Sequence, residues 1–147
     1  MTLFTSKVDY ALRALLDLAQ QPPGRAVQSR EIAARQEIPE AYLNQLLVIL
    51  RRAGLVRSIR GAAGGYVLAQ SPSGIRISDI VCAFHGEACL GCPDGEGPAT
   101  GSAVWVVRDL RRRADAAVRR VLEETTLADL VEEQRRLDES QSLMLGI

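Results

Sequence analysis

The chain has little of what catalysis and membranes demand. It holds one histidine in 147 residues, so any histidine-based triad would have to run through His85 alone. No GxSxG, P-loop, GxGxxG or HExxH pattern occurs. The glycine-rich stretch 61–65 joins two predicted strands and has no helix after it, which argues against a phosphate cradle. The sequence therefore reads as no enzyme. No apolar run approaches the roughly 18 residues that a membrane-spanning helix needs, and no signal-peptide pattern opens the chain. The expectation is a cytoplasmic protein with no membrane partner. Cysteine is scarce as well: Cys82, Cys89 and Cys92 are an odd number. In a reducing cytosol that count speaks against a disulfide framework and for metal or thiol chemistry. Net charge is also lacking, with 18 basic against 18 acidic side chains.

The zero hides an asymmetry. Residues 1–66 carry nine basic side chains against five acidic ones, a net of +4, which leaves −4 for residues 67–147. A basic front half on a neutral chain points to a localised polyanion site. The hydrophobic share of 47% supports a real core, and 147 residues fit one domain or a small domain with an extension.

Helical periodicity opens the chain. Behind Thr5-Ser6, a cap signal, Val8, Leu12, Leu15 and Ala19 recur at helical spacing and predict a helix that Pro22-Pro23-Gly24 stops. Ser29 is the expected N-cap of a short helix over 30–36, with Ile32 and Ala33 inward. Pro39 suits the first turn of a third helix, expected to run to about Ala53 with Gly54 as its cap. On that helix Leu43, Leu46, Leu47 and Leu50 share one face. The opposite face shows Ala41, Gln45, Val48 and Arg52, flanked by Asn44 and Arg51. A strand over 55–60, a tight turn and a returning strand over 66–69 follow. Three short helices and a hairpin in this order make a winged helix-turn-helix.

After a linker at 71–74, Ser78 is the expected cap of a short helix over 79–84. Residues 86–102 show no periodicity and predict a loop that is functional or partly disordered. Then Ala103, Val107, Leu110, Ala114, Ala117 and Val121 alternate at spacings of four and three, a seam that suits close approach of a second helix, with a core helix of the same subunit as the plainer alternative. Thr126 and Asp129 form a capping-box signal for a last helix through Leu127, Leu130 and Leu137. The expected fold class is mainly α with a small β-hairpin: a winged helix-turn-helix plus a long dimerisation helix. Its expected regions are a DNA-binding domain over 1–70, a short helix and cysteine loop over 71–102, and the dimerisation and C-terminal helices over 103–147.

The exposed face of the third helix suits the major groove. Gln or Asn can hold an adenine edge through two hydrogen bonds, and a small residue such as Ala41 lets the backbone approach. Arg51, Arg52, Arg57 and Arg60, with Gly61 in the wing, flank that face where phosphate contacts would fix register. The plainer reading of each arginine is a solvated surface charge. The combination of apolar inner face, amide outer face, glycine-rich wing and local positive charge points to double-stranded DNA.

The start LFTSKVDYALRALLDLA, the stretch IPEAYLNQLLVILRRAGLVRSIRGAAGGYVLA and the later TTLADLV closely resemble the iron–sulfur cluster regulator family of bacterial winged-helix repressors, the IscR, NsrR and CymR group. The resemblance covers nearly the whole chain. It implies a homodimeric transcriptional regulator, a repressor that binds an operator and senses iron–sulfur or redox status through a cysteine loop. By position, Ala41, Asn44 and Gln45 match the family's base-reading residues. Asn44 stands where one branch has Glu, so the operator sequence cannot be carried over.

Cys89-Leu90-Gly91-Cys92 is a CxxC whose thiolates can share one metal centre. Cys82 and His85, three apart on a predicted helix, complete an alternative set that suits zinc or an iron–sulfur cluster. Cys82 also reads as a small buried hydrophobe, His85 as a helix end, and Asp9 as a favourable carboxylate in a first helical turn. In the family, three loop cysteines hold an iron–sulfur cluster with a fourth ligand of another type. Here the third family position falls near Ala99, Cys82 is extra, and Asp9 lies where one branch places a carboxylate ligand. The resemblance thus implies a cluster on Cys89 and Cys92, with Cys82, His85 or Asp9 as further ligands, and zinc or no cofactor as alternatives. The competing functions are a winged-helix protein-interaction module and a cofactor-free regulator controlled by a protein partner or by thiol redox state.

Overall fold

The first helix, α1 (Ser6–Ala19), starts where the Thr5 hydroxyl accepts from the Val8 amide at 3.5 Å. It buries Val8, Ala11, Ala14, Leu15 and Leu18. The second, α2 (Ser29–Gln36), begins one residue earlier than its serine predicts: Ser29 lies inside the helix and Gln28 precedes it without a side-chain cap. The helix ends on Glu37, held in the left-handed region at φ 55°.

The third helix, α3 (Glu40–Arg52), buries Leu43, Leu46, Leu47 and Leu50. Its end is fixed by two reversed hydrogen bonds. The Gly54 amide donates to the Arg51 carbonyl at 3.0 Å, and the Leu55 amide donates to the Leu50 carbonyl at 3.0 Å. Gly54 supplies the φ of +77° which that reversal requires.

Strands β1 (Val56–Ile59) and β2 (Gly65–Leu68) pair antiparallel, with Val56 opposite Leu68 and Ile59 opposite Gly65. A third segment joins this hairpin. Val27 and Tyr66 exchange two backbone hydrogen bonds, at 2.9 and 2.7 Å. Gly65 makes that approach possible: its φ is +150°, and a Cβ there would lie 2.5 Å from the Val27 backbone.

A 3-10 turn (Pro72–Gly74) leads to α4 (Ile77–His85). Ser78 does not cap this helix. It is buried inside it, and the Asp79 carboxylate instead accepts from the Arg76 amide at 3.0 Å. The cause is tertiary: Arg76 pairs with Thr126, and the Ile77 amide donates to the Thr125 carbonyl at 2.9 Å, so the chain turns helical just beyond that bridge. The long α5 (Ser102–Glu124) has 23 residues and so spans about 35 Å. The last helix, α6 (Leu127–Met144), starts on the expected box, with Thr126 accepting from the Asp129 amide at 3.2 Å and Asp129 accepting from the Thr126 amide at 2.9 Å.

The computed structural model describes residues 3–86, 98 and 100–146. Among them the chain forms six α-helices and a two-stranded hairpin, the mainly α winged helix-turn-helix with a long helix that the sequence predicts. The core gathers the inner faces of α1–α4 with Ile75, Leu127 and Val131, and takes only Leu122 from α5.

Candidate nucleic-acid interface and cysteine segment

With its leucines committed to the core, α3 presents Ala41, Asn44, Gln45, Arg51 and Arg52 to solvent. Val48 departs from the expected free face and is half-buried. In the wing, Arg57, Arg60 and Gly61 are exposed. The structure thus sets the amide-bearing face and four exposed arginines on α3 and the hairpin that follows it directly.

Side chains that sequence reasoning passed over hold α3 and α2 in place. The Tyr42 ring on α3 meets Tyr10 of α1 edge-to-face at 5.6 Å, and the Arg13 guanidinium lies 5.1 Å over Tyr10. Arg13 also donates to the Gln36 carbonyl. Below this, the buried Asp17 carboxylate accepts from Arg35 Nε at 2.9 Å, Arg35 Nη2 at 2.8 Å and Gln36 Nε2 at 3.1 Å. The hydrogen bond to Asp17 raises the Arg35 pKa above its ordinary value, against the opposing effect of burial. The only local signal was a carboxylate set among the apolar positions Ala14, Leu15 and Leu18.

Of the predicted ligands, Cys89 and Cys92 lie outside the described residues, as does Ala99. Cys82 is half-buried on α4, and Asp9 is exposed in the first turn of α1. His85, at the end of α4, places Nε2 3.1 Å from the Leu3 carbonyl oxygen. A carbonyl only accepts, so Nε2 carries the proton there and only Nδ1 is left to meet a metal. Among the described residues, no three His, Cys, Asp or Glu side chains gather in a metal-binding arrangement.

The apolar seam of α5 stands in solvent. Ala103, Ala114 and Ala117 are exposed, and Val107, Leu110 and Val121 are 65%, 58% and 60% exposed. On the opposite face Arg111, Arg112 and Asp115 are exposed as well, with Arg119 half-buried. Asp109 and Arg113 pair at 3.2 Å along the helix.

A buried leucine face, an exposed amide face and a glycine-tipped wing define a winged helix-turn-helix protein. A family model described as Rrf2, iron-dependent transcriptional regulator, matches residues 4–133, and the chain belongs to that family. It is 37% identical over 138 residues to the HTH-type transcriptional regulator IscR of Cereibacter sphaeroides, covering 90% of this chain and 88% of that one. With the protein rrf2 of Nitratidesulfovibrio vulgaris it shares 37% identity over 128 residues, 86% of this chain and 85% of that one. Its fold is similar to that of CymR, the global cysteine regulator of B. subtilis, with a TM-score of 0.77, 35% identity, and 90% and 98% of the two chains covered. The chain is a DNA-binding transcriptional regulator and not an enzyme. None of the helices among the described residues is long and apolar enough to cross a membrane.

Proposed function

We propose that the chain is a homodimeric repressor that reads an operator with α3 and the wing and senses iron–sulfur or redox status through its cysteine segment. The observation that carries the reading is the division of α3, with four leucines buried on one side and Ala41, Asn44 and Gln45 exposed on the other. Gln45 and Asn44 are the base-reading groups, and Ala41 keeps that end of the helix slim. Arg51, Arg52, Arg57 and Arg60, with the Gly61 backbone, take phosphates and fix register. Residues 1–70 form the reading unit, 71–102 the sensing segment and 103–147 the assembly unit.

The exposed seam of α5 supports the dimer. Its valines and leucine would remain in water in a lone chain, and the small Ala114 and Ala117 let two such helices approach closely. A two-fold pair sets two winged helices on two half-sites, which multiplies the short reading of one. The thiols of Cys89 and Cys92, with Cys82, Asp9 or the Nδ1 of His85 as further ligands, would make a soft donor set of the kind that suits an iron–sulfur cluster or zinc. A cluster, when bound, supplies a centre that oxidants or iron loss can dismantle. The likeness to a protein described as a global cysteine regulator favours a second reading, in which the same thiols respond by their own oxidation with no cofactor.

The test is a gel shift against the region upstream of the chain's own gene at two salt concentrations, with light scattering on the same sample. The expected result is a specific, salt-weakened complex formed by a dimer. Failure to bind DNA would leave the protein-interaction reading, and a monomer that binds with full affinity would remove the dimer.

A further inference from the structure

A groove lies beside the wing that none of the DNA contacts above occupies. One wall is the turn between α1 and α2, with Gly24 and Arg25; the other is the tip of the wing, with Ala62, Ala63 and Gly64; Glu31 of α2 also lines it. The two walls are held together. Arg25 stands two residues before Val27, whose paired hydrogen bonds with Tyr66 tie this segment to the wing through one isolated bridge. Arg25 therefore lies on a short segment anchored to the wing at Val27.

The chemistry of the walls selects the occupant. Ala62, Ala63 and Gly64 present nothing larger than a methyl group, so an extended backbone can approach the wing tip closely. Arg25 is exposed and has no ion-pair partner among the described residues. Glu31 is half-buried, and its charge acts on Arg35 four residues along α2. Both charges line the groove, and the Arg25 guanidinium is the more exposed of the two. Position agrees with charge. A winged helix sets its recognition helix in the major groove while the preceding helix crosses the backbone. In that docking geometry the strand between the groove read by α3 and the groove met by the wing would pass near the start of α2 and the wing tip. Guanidinium is suited to that strand's phosphates because its planar fork matches two phosphate oxygens.

We infer that this groove seats the sugar–phosphate backbone of the DNA and that Arg25 is a further phosphate-contacting residue, which fixes the wing in register without reading sequence. The inference rests on the DNA-binding reading above. Its test compares wild type, Arg25→Ala, Arg25→Lys and Gln45→Ala by fluorescence anisotropy over a salt series. Two duplexes of equal length serve as probes, one selected by the protein from a randomised pool and one scrambled. A single lost phosphate contact lowers the slope of log affinity against log salt by about 0.9, which is about five- to tenfold in affinity at 0.1 M salt. Arg25→Ala should show that loss equally on both duplexes, and Arg25→Lys should keep the wild-type slope. Thermal melting of Arg25→Ala should match wild type, since the side chain is exposed. Wild-type affinity and slope in Arg25→Ala, on DNA that Gln45→Ala discriminates poorly, would overturn the inference and leave the DNA reading intact. Loss on the selected duplex alone would also overturn it, because the residue would then read bases. No binding of either duplex by wild type would remove the DNA reading and this inference together.

Discussion

Replacing Asp17 with alanine should unlatch α2 from α1, the first contact on which the reading unit depends. The Asp17 side chain is 3% exposed and accepts three hydrogen bonds, two from Arg35 and one from Gln36. Removing one partner of a fully buried pair costs about 3–5 kcal/mol, because the other charge is stranded. Arg35 is not stranded to that degree: its side chain is 43% exposed and can turn to water. The Gln36 amide loses an acceptor in a half-buried position, for which about 1–2 kcal/mol is reasonable. Together these give a loss of about 2–3 kcal/mol. At roughly 2–4 °C per kcal/mol for a chain of this size, the melting temperature should fall by about 5–10 °C. Differential scanning calorimetry checks this, with Arg35→Ala and the double variant completing a cycle. The double variant should lose less than the sum of the singles, since each single already breaks the shared pair. A melting temperature within 1 °C of wild type for Asp17→Ala, or strict additivity in the cycle, would refute the claim that this pair latches α2.

Other consequences follow from the same geometry. Ala114→Glu would place a charge in the proposed helix seam, where desolvation outweighs any gain; light scattering should report a monomer or an aggregate with operator affinity lost, and a well-behaved dimer would count against the seam. Gly65→Ala forces a side chain into the Val27 backbone at a φ that disfavours it, so a loss of at least about 2 kcal/mol in denaturant unfolding is expected, together with weakened DNA binding through a displaced wing. Cys89→Ser with Cys92→Ser, after anaerobic reconstitution with iron and sulfide, should lose bound iron and shift operator affinity by about 5–150-fold. Unchanged iron and unchanged affinity would leave the cysteine segment without a sensing role.

Several helices were legible because their signals are local. The Thr126–Asp129 box and the leucine face of α3 each lie within a few residues, so periodicity and capping rules found them. What escaped depends on chain segments far apart in sequence. The true start of α4 is set by Arg76 meeting Thr126, and no reading of Ser78 by itself could foresee that bridge. The Asp17–Arg35 latch joins two helices across 18 residues, and an isolated bridge joins Val27 to Tyr66. Helical spacing also says that a face is apolar without saying what covers it. In sequence the seam of α5 reads as an interface with a core helix as the alternative, and the fold shows that its own core leaves it bare. The exposed face of α3 was legible as an amide stripe, although Val48, assigned to it by rotation alone, turns half into the protein.

The central claim, that α3 reads bases while the wing holds phosphates, is tested most directly by comparing Gln45→Ala with Arg60→Ala in salt-dependent binding to a selected and a scrambled duplex. Gln45→Ala should lose about 1–3 kcal/mol on the selected duplex only, so its preference narrows while its salt slope stays the same. Arg60→Ala should weaken both duplexes alike and lower the slope by about 0.9. Wild-type binding by both variants, or a Gln45→Ala loss that is equal on the two duplexes, would contradict it.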